Sequence, residues 1–118
     1  MWPSLEADLT ATSDMIFGAQ YNLDFAPFVT RCVELLNRTP EERRVSMRLV
    51  LDSKNFHAPS CARQPEAVRS LYQAGAFIRT VKPKGRGGFA CLHAKMWIFD
   101  RKVMYTGSAN TTHGAFQS

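Results

Sequence analysis

His93, Lys95, Ser108 and Asn110 are four side chains suited to gripping and splitting a phosphodiester, and they stand close together in the chain. Phosphoryl transfer needs a nucleophile, fixed positive charge on the non-bridging oxygens and a proton donor for the leaving oxygen. A neutral imidazole can attack phosphorus and carry a covalent intermediate. Lys95 offers a point charge for a phosphate oxygen. The Ser108 hydroxyl and the Asn110 amide can donate to the same oxygens.

These residues must be carried by local structure, and the sequence reads as a β-hairpin. Strands are expected over about 89–99 and 103–108, joined at Asp100-Arg101-Lys102. Alternation puts His93 and Lys95 on one face with Cys91 and Trp97. Leu92, Ala94, Met96 and Ile98 then point the other way, into the core. A two-residue turn at Asp100-Arg101 would set Ser108 opposite His93, and a one-residue slip would bring Ala109 there instead. Asp100 lies seven residues from His93, about 23 Å along a strand at ~3.3 Å per residue, too far to orient that imidazole. It is expected to be structural, accepting turn hydrogen bonds or pairing with a nearby base.

The preceding chain supplies a scaffold. A short acidic helix is expected over 4–12 and a buried strand over 15–21. Asp24 is a candidate N-cap for a helix reaching about Arg38, with Phe28, Cys32, Leu35 and Leu36 on its core face. Thr39 and Glu42 stand at capping-box spacing around a single turn. Val45 to Leu51 alternates as a strand ending at Asp52. The next helix, about 65–74, turns Val68, Leu71 and Tyr72 inward and stops at Gly75. A third strand covers 76–81. Strands alternating with helices indicate an α/β layer with parallel pairing.

Charge is unevenly spread. The formal net charge is +5. Residues 1–30 hold four acids and no Lys or Arg, whereas residues 67–99 hold no acid and several bases. Lys82, Lys84 and Arg86 fall in a Gly- and Pro-rich loop that runs into the His93 strand. Such a loop can cover a phosphate site, and its field favours a polyanion such as nucleic acid or a lipid headgroup. Trp97 and Phe99 could stack bases, but a core position is the simpler expectation. His57 and His113 read as surface or loop residues.

His93-x-Lys95-x4-Asp100-x6-Gly107-Ser108-x-Asn110 resembles the HKD motif of the phospholipase D superfamily. The order of elements before it resembles the members that carry a single motif, and the likeness covers about residues 12–113. The resemblance implies an α/β fold: a mixed β-sheet flanked by helices, with the HKD hairpin near the sheet centre and residues 1–118 forming one domain. It implies His93 as nucleophile, Lys95 and Asn110 as phosphate ligands with Ser108 assisting, and Asp100 and Gly107 as structural members of the motif. No metal or cofactor is expected. A second histidine, from a second subunit, would protonate the leaving group, so a homodimer or a larger assembly is expected. Family members also place a carboxylate for the histidine about 25 to 30 residues downstream, followed by a strand and helix. The chain stops at Ser118, so it reads as truncated at the C-terminus.

Other features narrow the classes. No apolar run reaches the ~18 to 20 residues of a membrane span. The N-terminus lacks the features of a secretory signal, which leaves an intracellular chain or one whose targeting segment has been removed. Cys32, Cys61 and Cys91 lack zinc spacing and read as buried thiols in a reducing compartment. The expectation is metal-independent phosphodiester hydrolysis, on nucleic acid in preference to phospholipid. The competing class is a non-catalytic scaffold or nucleic-acid-binding subunit with the same fold.

Overall fold

In a computed structural model, residues 2–38, 40–54, 56–57, 59–82, 95–107 and 111 are described. Helix α1 (Trp2–Thr10) precedes strand β1 (Met15–Gln20). Then follow α2 (Ala26–Leu36), β2 (Ser46–Asp52), α3 (Gln64–Gln73), β3 (Phe77–Val81), β4 (Lys95–Phe99) and β5 (Val103–Thr106). The strands form one mixed sheet in the order β3-β2-β1-β4-β5. β1, β2 and β3 run parallel, while β4 runs antiparallel to both β1 and β5.

The topology dictates where the helices lie. Both parallel crossovers step the same way across the sheet, and right-handed crossovers of that kind put α2 and α3 on one face. α1 packs beside α2 on that face, and Leu5 and Leu9 of α1 join the same core as Phe28, Cys32, Leu35 and Leu71. The sheet contributes Ile16, Met47, Leu49, Leu51, Trp97 and Phe99 to it.

Burial on β4 inverts the expected facing. Trp97 and Phe99 are the core residues, whereas Met96 and Ile98 are half-buried on the opposite face. Alternation along the strand is as expected, but the helices cover the odd-numbered side, so Lys95 shares its face with the core. Gly18 faces Trp97 across the sheet, and a Cβ there would come within 2.2 Å of the indole. The tryptophan ring therefore occupies the space a side chain at position 18 would need.

Other local expectations are adjusted. Phe25, not Asp24, is the N-cap of α2, and Pro27 sits in its first turn where a missing N–H costs nothing. Tyr72 is not inward: it is 69% exposed, while Val68 and Leu71 are buried. Gly75 ends α3 with φ at 107°, a conformation that favours glycine. Cys32 and Cys61 are buried free thiols. Burial raises both, and Asp24 beside Cys61 helps push the latter up to about 12. Thr39, Cys91 and His113 lie outside the described residues.

Candidate phosphate-handling site

The C-terminal ends of β1, β2 and β3 meet the N-terminal end of β4 at one edge of the sheet. Gln20, Asp52, Val81 and Lys95 mark that edge. The strand order turns around at β1, with β2 and β3 on one side and β4 and β5 on the other. A crevice at such a reversal, beyond the carboxyl ends of parallel strands, is where α/β sheets bind ligands.

Lys95 opens β4 at this edge, in register with Gln20 of β1. Its Nζ lies 5.9 Å from the ring centroid of Tyr21, within reach of a cation–π attraction. Gly107 follows β5 at the same edge and is exposed. Lys82, exposed, follows β3. His93, Ser108, Asn110, Lys84 and Arg86 lie outside the described residues.

The position just after Asn110 is tied down by buried hydrogen bonds. The Thr111 hydroxyl accepts from Trp97 Nε1 at 2.7 Å and donates to Gln20 Oε1 at 3.0 Å. Gln20 Nε2 donates to the Met96 carbonyl at 3.1 Å. The Thr111 carbonyl accepts from the backbone N–H groups of Asp24 and Phe25 at 2.9 and 3.2 Å. Gln20, Trp97 and Thr111 are all buried, so these groups have no water to fall back on. The bonds fix the chain beside two members of the motif: Met96 next to Lys95, and Thr111 next to Asn110. Gln20 and Thr111 escaped the sequence reading. The available signal was a single polar side chain closing an otherwise apolar strand, Met15-Ile16-Phe17-Gly18-Ala19-Gln20.

Asp100 stands at the other end of β4. One carboxylate oxygen accepts from the N–H groups of Asp14 and Met15 at 2.8 and 3.0 Å. The other accepts from the Ser13 N–H at 2.9 Å and the Ser13 hydroxyl at 3.4 Å. Its own N–H donates to the Met15 carbonyl at 2.9 Å. Its partners are therefore the entrance to β1, distant in sequence, and not a neighbouring base. Burial alone would raise this carboxyl, but the hydrogen bonds to Ser13, Met15 and Asp14 outweigh it and hold it below its ordinary value of 3.8.

The three-residue connection expected at Asp100-Arg101-Lys102 is present, and the two-residue turn is not. Phe99 pairs with Val103, so Asp100, Arg101 and Lys102 all lie in the connection. Asp100 and Arg101 take φ of 55° and 59°, which is how three residues reverse the chain while Asp100 reaches back to β1. The register then sets Met96 opposite Thr106, in place of the pairing a two-residue turn would impose.

Among the described residues, no group of His, Cys, Asp and Glu could hold a metal ion. No helix among them is long and apolar enough to cross a membrane.

A parallel α/β layer closed by an antiparallel hairpin, with a lysine-bearing motif at the strand-order reversal, defines a phospholipase D-like half-domain. Residues 11–118 match the family described as "Cardiolipin synthase, PLD-like domain", and the chain belongs to that family. Solved structures share its fold. NucT from Helicobacter pylori superposes with a TM-score of 0.73 at 16% identity, over 98% of this chain and 69% of that one. Nuc from Salmonella typhimurium, a phospholipase D family member, gives 0.74 at 18% identity, over 97% and 66%. No curated protein matches the chain.

Proposed function

We propose that this chain hydrolyses phosphodiesters without a metal, with nucleic acid as the preferred substrate, in a site completed by a second copy. The observation that carries this reading is Lys95 at the sheet's ligand-binding edge, in register with Gln20, in a sequence that holds the full motif from His93 to Asn110. The basic composition of residues 67–99 supports nucleic acid, a polyanion, over phospholipid.

In this mechanism a His93 ring nitrogen attacks phosphorus. The bond to the leaving oxygen breaks, and its electron pair goes to that oxygen, which takes a proton from the second copy's histidine. Lys95 and Asn110, with Ser108 assisting, hold the non-bridging oxygens as negative charge builds. Water, deprotonated by the second histidine, then attacks phosphorus. The phosphorus–nitrogen bond breaks and His93 is regenerated. Lys82, Lys84 and Arg86 concentrate the polyanion.

Turnover of bis(4-nitrophenyl) phosphate in excess EDTA tests the reading. Hydrolysis should persist, and His93→Asn should lower it by about 1,000-fold or more while the melting temperature stays unchanged. Quenching a labelled substrate with alkaline denaturant, in which a phosphohistidine survives, should trap label on the wild type only. A folded wild-type dimer with no hydrolysis would favour the scaffold class instead.

A further inference from the structure

We infer that a groove between α3 and the outer edge of β3 binds single-stranded nucleic acid beyond the scissile phosphate. The inference rests on the nucleic-acid reading above and extends it to a subsite. α3 divides its surface in two. Glu66, Ala67 and Ser70 look toward α2, while Pro65, Val68, Arg69 and Tyr72 follow one another at helical spacing toward β3. Together with Ile78 they line a groove of about 420 Å³.

The floor of the groove is apolar, through Pro65, Val68 and Ile78. The rim carries Tyr72, Arg69 and His57, all exposed. No carboxylate lines it among the described residues. An exposed tyrosine one helical turn from an exposed arginine provides a stacking plate beside a phosphate ligand. Stackable rings along a positively charged groove are how single strands are held without sequence preference. A double helix hides its base faces and gains nothing from the ring. The occupant is therefore chosen by chemistry: an anion with flat, unstacked aromatic groups.

The groove also connects to the site edge. His57 packs edge-on against Phe56, with ring centroids 4.9 Å apart. The Phe56 carbonyl accepts from Gln64 Nε2 at 3.1 Å, and Gln64 Oε1 accepts from the Leu23 N–H at 2.6 Å. Leu23 bridges to Thr111, the residue after Asn110. One hydrogen-bonded path thus joins the groove mouth to the motif. From there, Pro65 to Tyr72 extends about 10 Å at ~1.5 Å per residue. That length accommodates about three nucleotides at the ~3.4 Å stacked spacing.

Anisotropy with labelled oligothymidylate of two to twelve nucleotides tests the groove, alongside a duplex of equal length and oligoglutamate of equal charge. Affinity should rise with length over the first few nucleotides beyond the minimal diester. Tyr72→Ala and Arg69→Ala should each weaken the twelve-mer about tenfold, and Tyr72→Phe should retain wild-type affinity. Duplex and oligoglutamate binding should be unaffected by Tyr72→Ala. Hydrolysis of bis(4-nitrophenyl) phosphate should stay at the wild-type rate in both variants, which also reports that they are folded. Unchanged twelve-mer affinity in folded variants overturns the groove, as does an equal loss for duplex or oligoglutamate. Diester hydrolysis with twelve-mer binding that does not depend on Tyr72 would leave catalysis standing and remove the groove. Tyr72-dependent binding without hydrolysis would do the reverse.

Discussion

The two ends of β4 carry members of one motif, and they are built on opposite principles. At the turn end, Asp100 spends its charge on the protein, with its carboxylate accepting from three backbone N–H groups at the entrance to β1. At the site end, neutral buried groups hold the backbone: Trp97, Thr111, Gln20 and the Met96 carbonyl satisfy one another. The backbone beside Lys95 is thus held by hydrogen bonds among neutral groups. The separation has a physical reason. A charge used to brace the fold is already neutralised and has little field left for a ligand, whereas a charge meant for a phosphate must be positioned by something else.

The largest effect expected from this contrast is functional. Lys95→Met should lower diester turnover by about 100-fold or more, since one donor to the developing negative charge is removed. Stability by urea titration should change by less than ~1 kcal/mol, because the brace at this end is uncharged. A large stability loss with modest loss of turnover would make Lys95 a structural residue and erase the contrast.

Next in size is the buried brace itself. Thr111→Val keeps the shape but strands the Trp97 N–H and the Gln20 carbonyl without a partner. Each buried unsatisfied group costs about 1–3 kcal/mol, so a loss of about 2–4 kcal/mol is expected. The loss should be independent of pH between 3 and 8, because no titrating group belongs to this network. Thr111→Ser, which keeps the hydroxyl, should recover most of the stability.

The turn end should respond to acid. Asp100→Ala removes an acceptor from three backbone donors, but water reaches this site and replaces part of the loss. A cost of about 1–3 kcal/mol is expected. The folded carboxyl sits below its ordinary value of 3.8, so in that interval the unfolded chain binds more protons than the folded one. Stability from Asp100 is therefore present above 3.8 and falls away as pH drops through the lower, folded value. The gap between wild type and Asp100→Asn in urea midpoints should narrow on acidification below about 3.8. A gap that stays constant would place the stabilisation outside the carboxylate's ionisation.

Much of this scaffold was legible in the residues. Alternation in Val45–Leu51, helical spacing of Phe28, Cys32, Leu35 and Leu36, and the Gly75 stop each express local rules that tertiary packing left intact. The misreadings share one cause. Alternation along β4 shows which residues share a face but not which face the helices cover, and that depends on the direction of both crossovers. The inward assignment of Tyr72 failed similarly, because helical spacing gives a stripe whose width only the neighbouring β3 edge can limit. The partners of Asp100 were hidden because it folds back on Ser13–Met15, 85 to 87 residues earlier in the chain. For the same reason Gln20 and Thr111 looked ordinary until β1 and β4 were placed side by side. His93, Ser108 and Asn110 remain assignments from the motif.

The smallest predicted effect separates the Asp100 brace from the ion pair beside it. Arg101 Nη1 lies 3.4 Å from Asp14 Oδ2, with the two side chains 76% and 51% exposed. Water screens such a pair, and ordering two flexible side chains offsets most of the attraction. Arg101→Ala should therefore shift the urea midpoint by no more than ~0.5 kcal/mol equivalent, and added salt should not change the difference measurably. Ala and Arg face a similar cost at the left-handed φ of this position, so the substitution isolates the charge. A loss comparable with that of Asp100→Ala would mean that the turn is held by a surface charge network. The bonding of one carboxylate to the backbone of β1 would then no longer account for the end of the hairpin opposite the phosphate site.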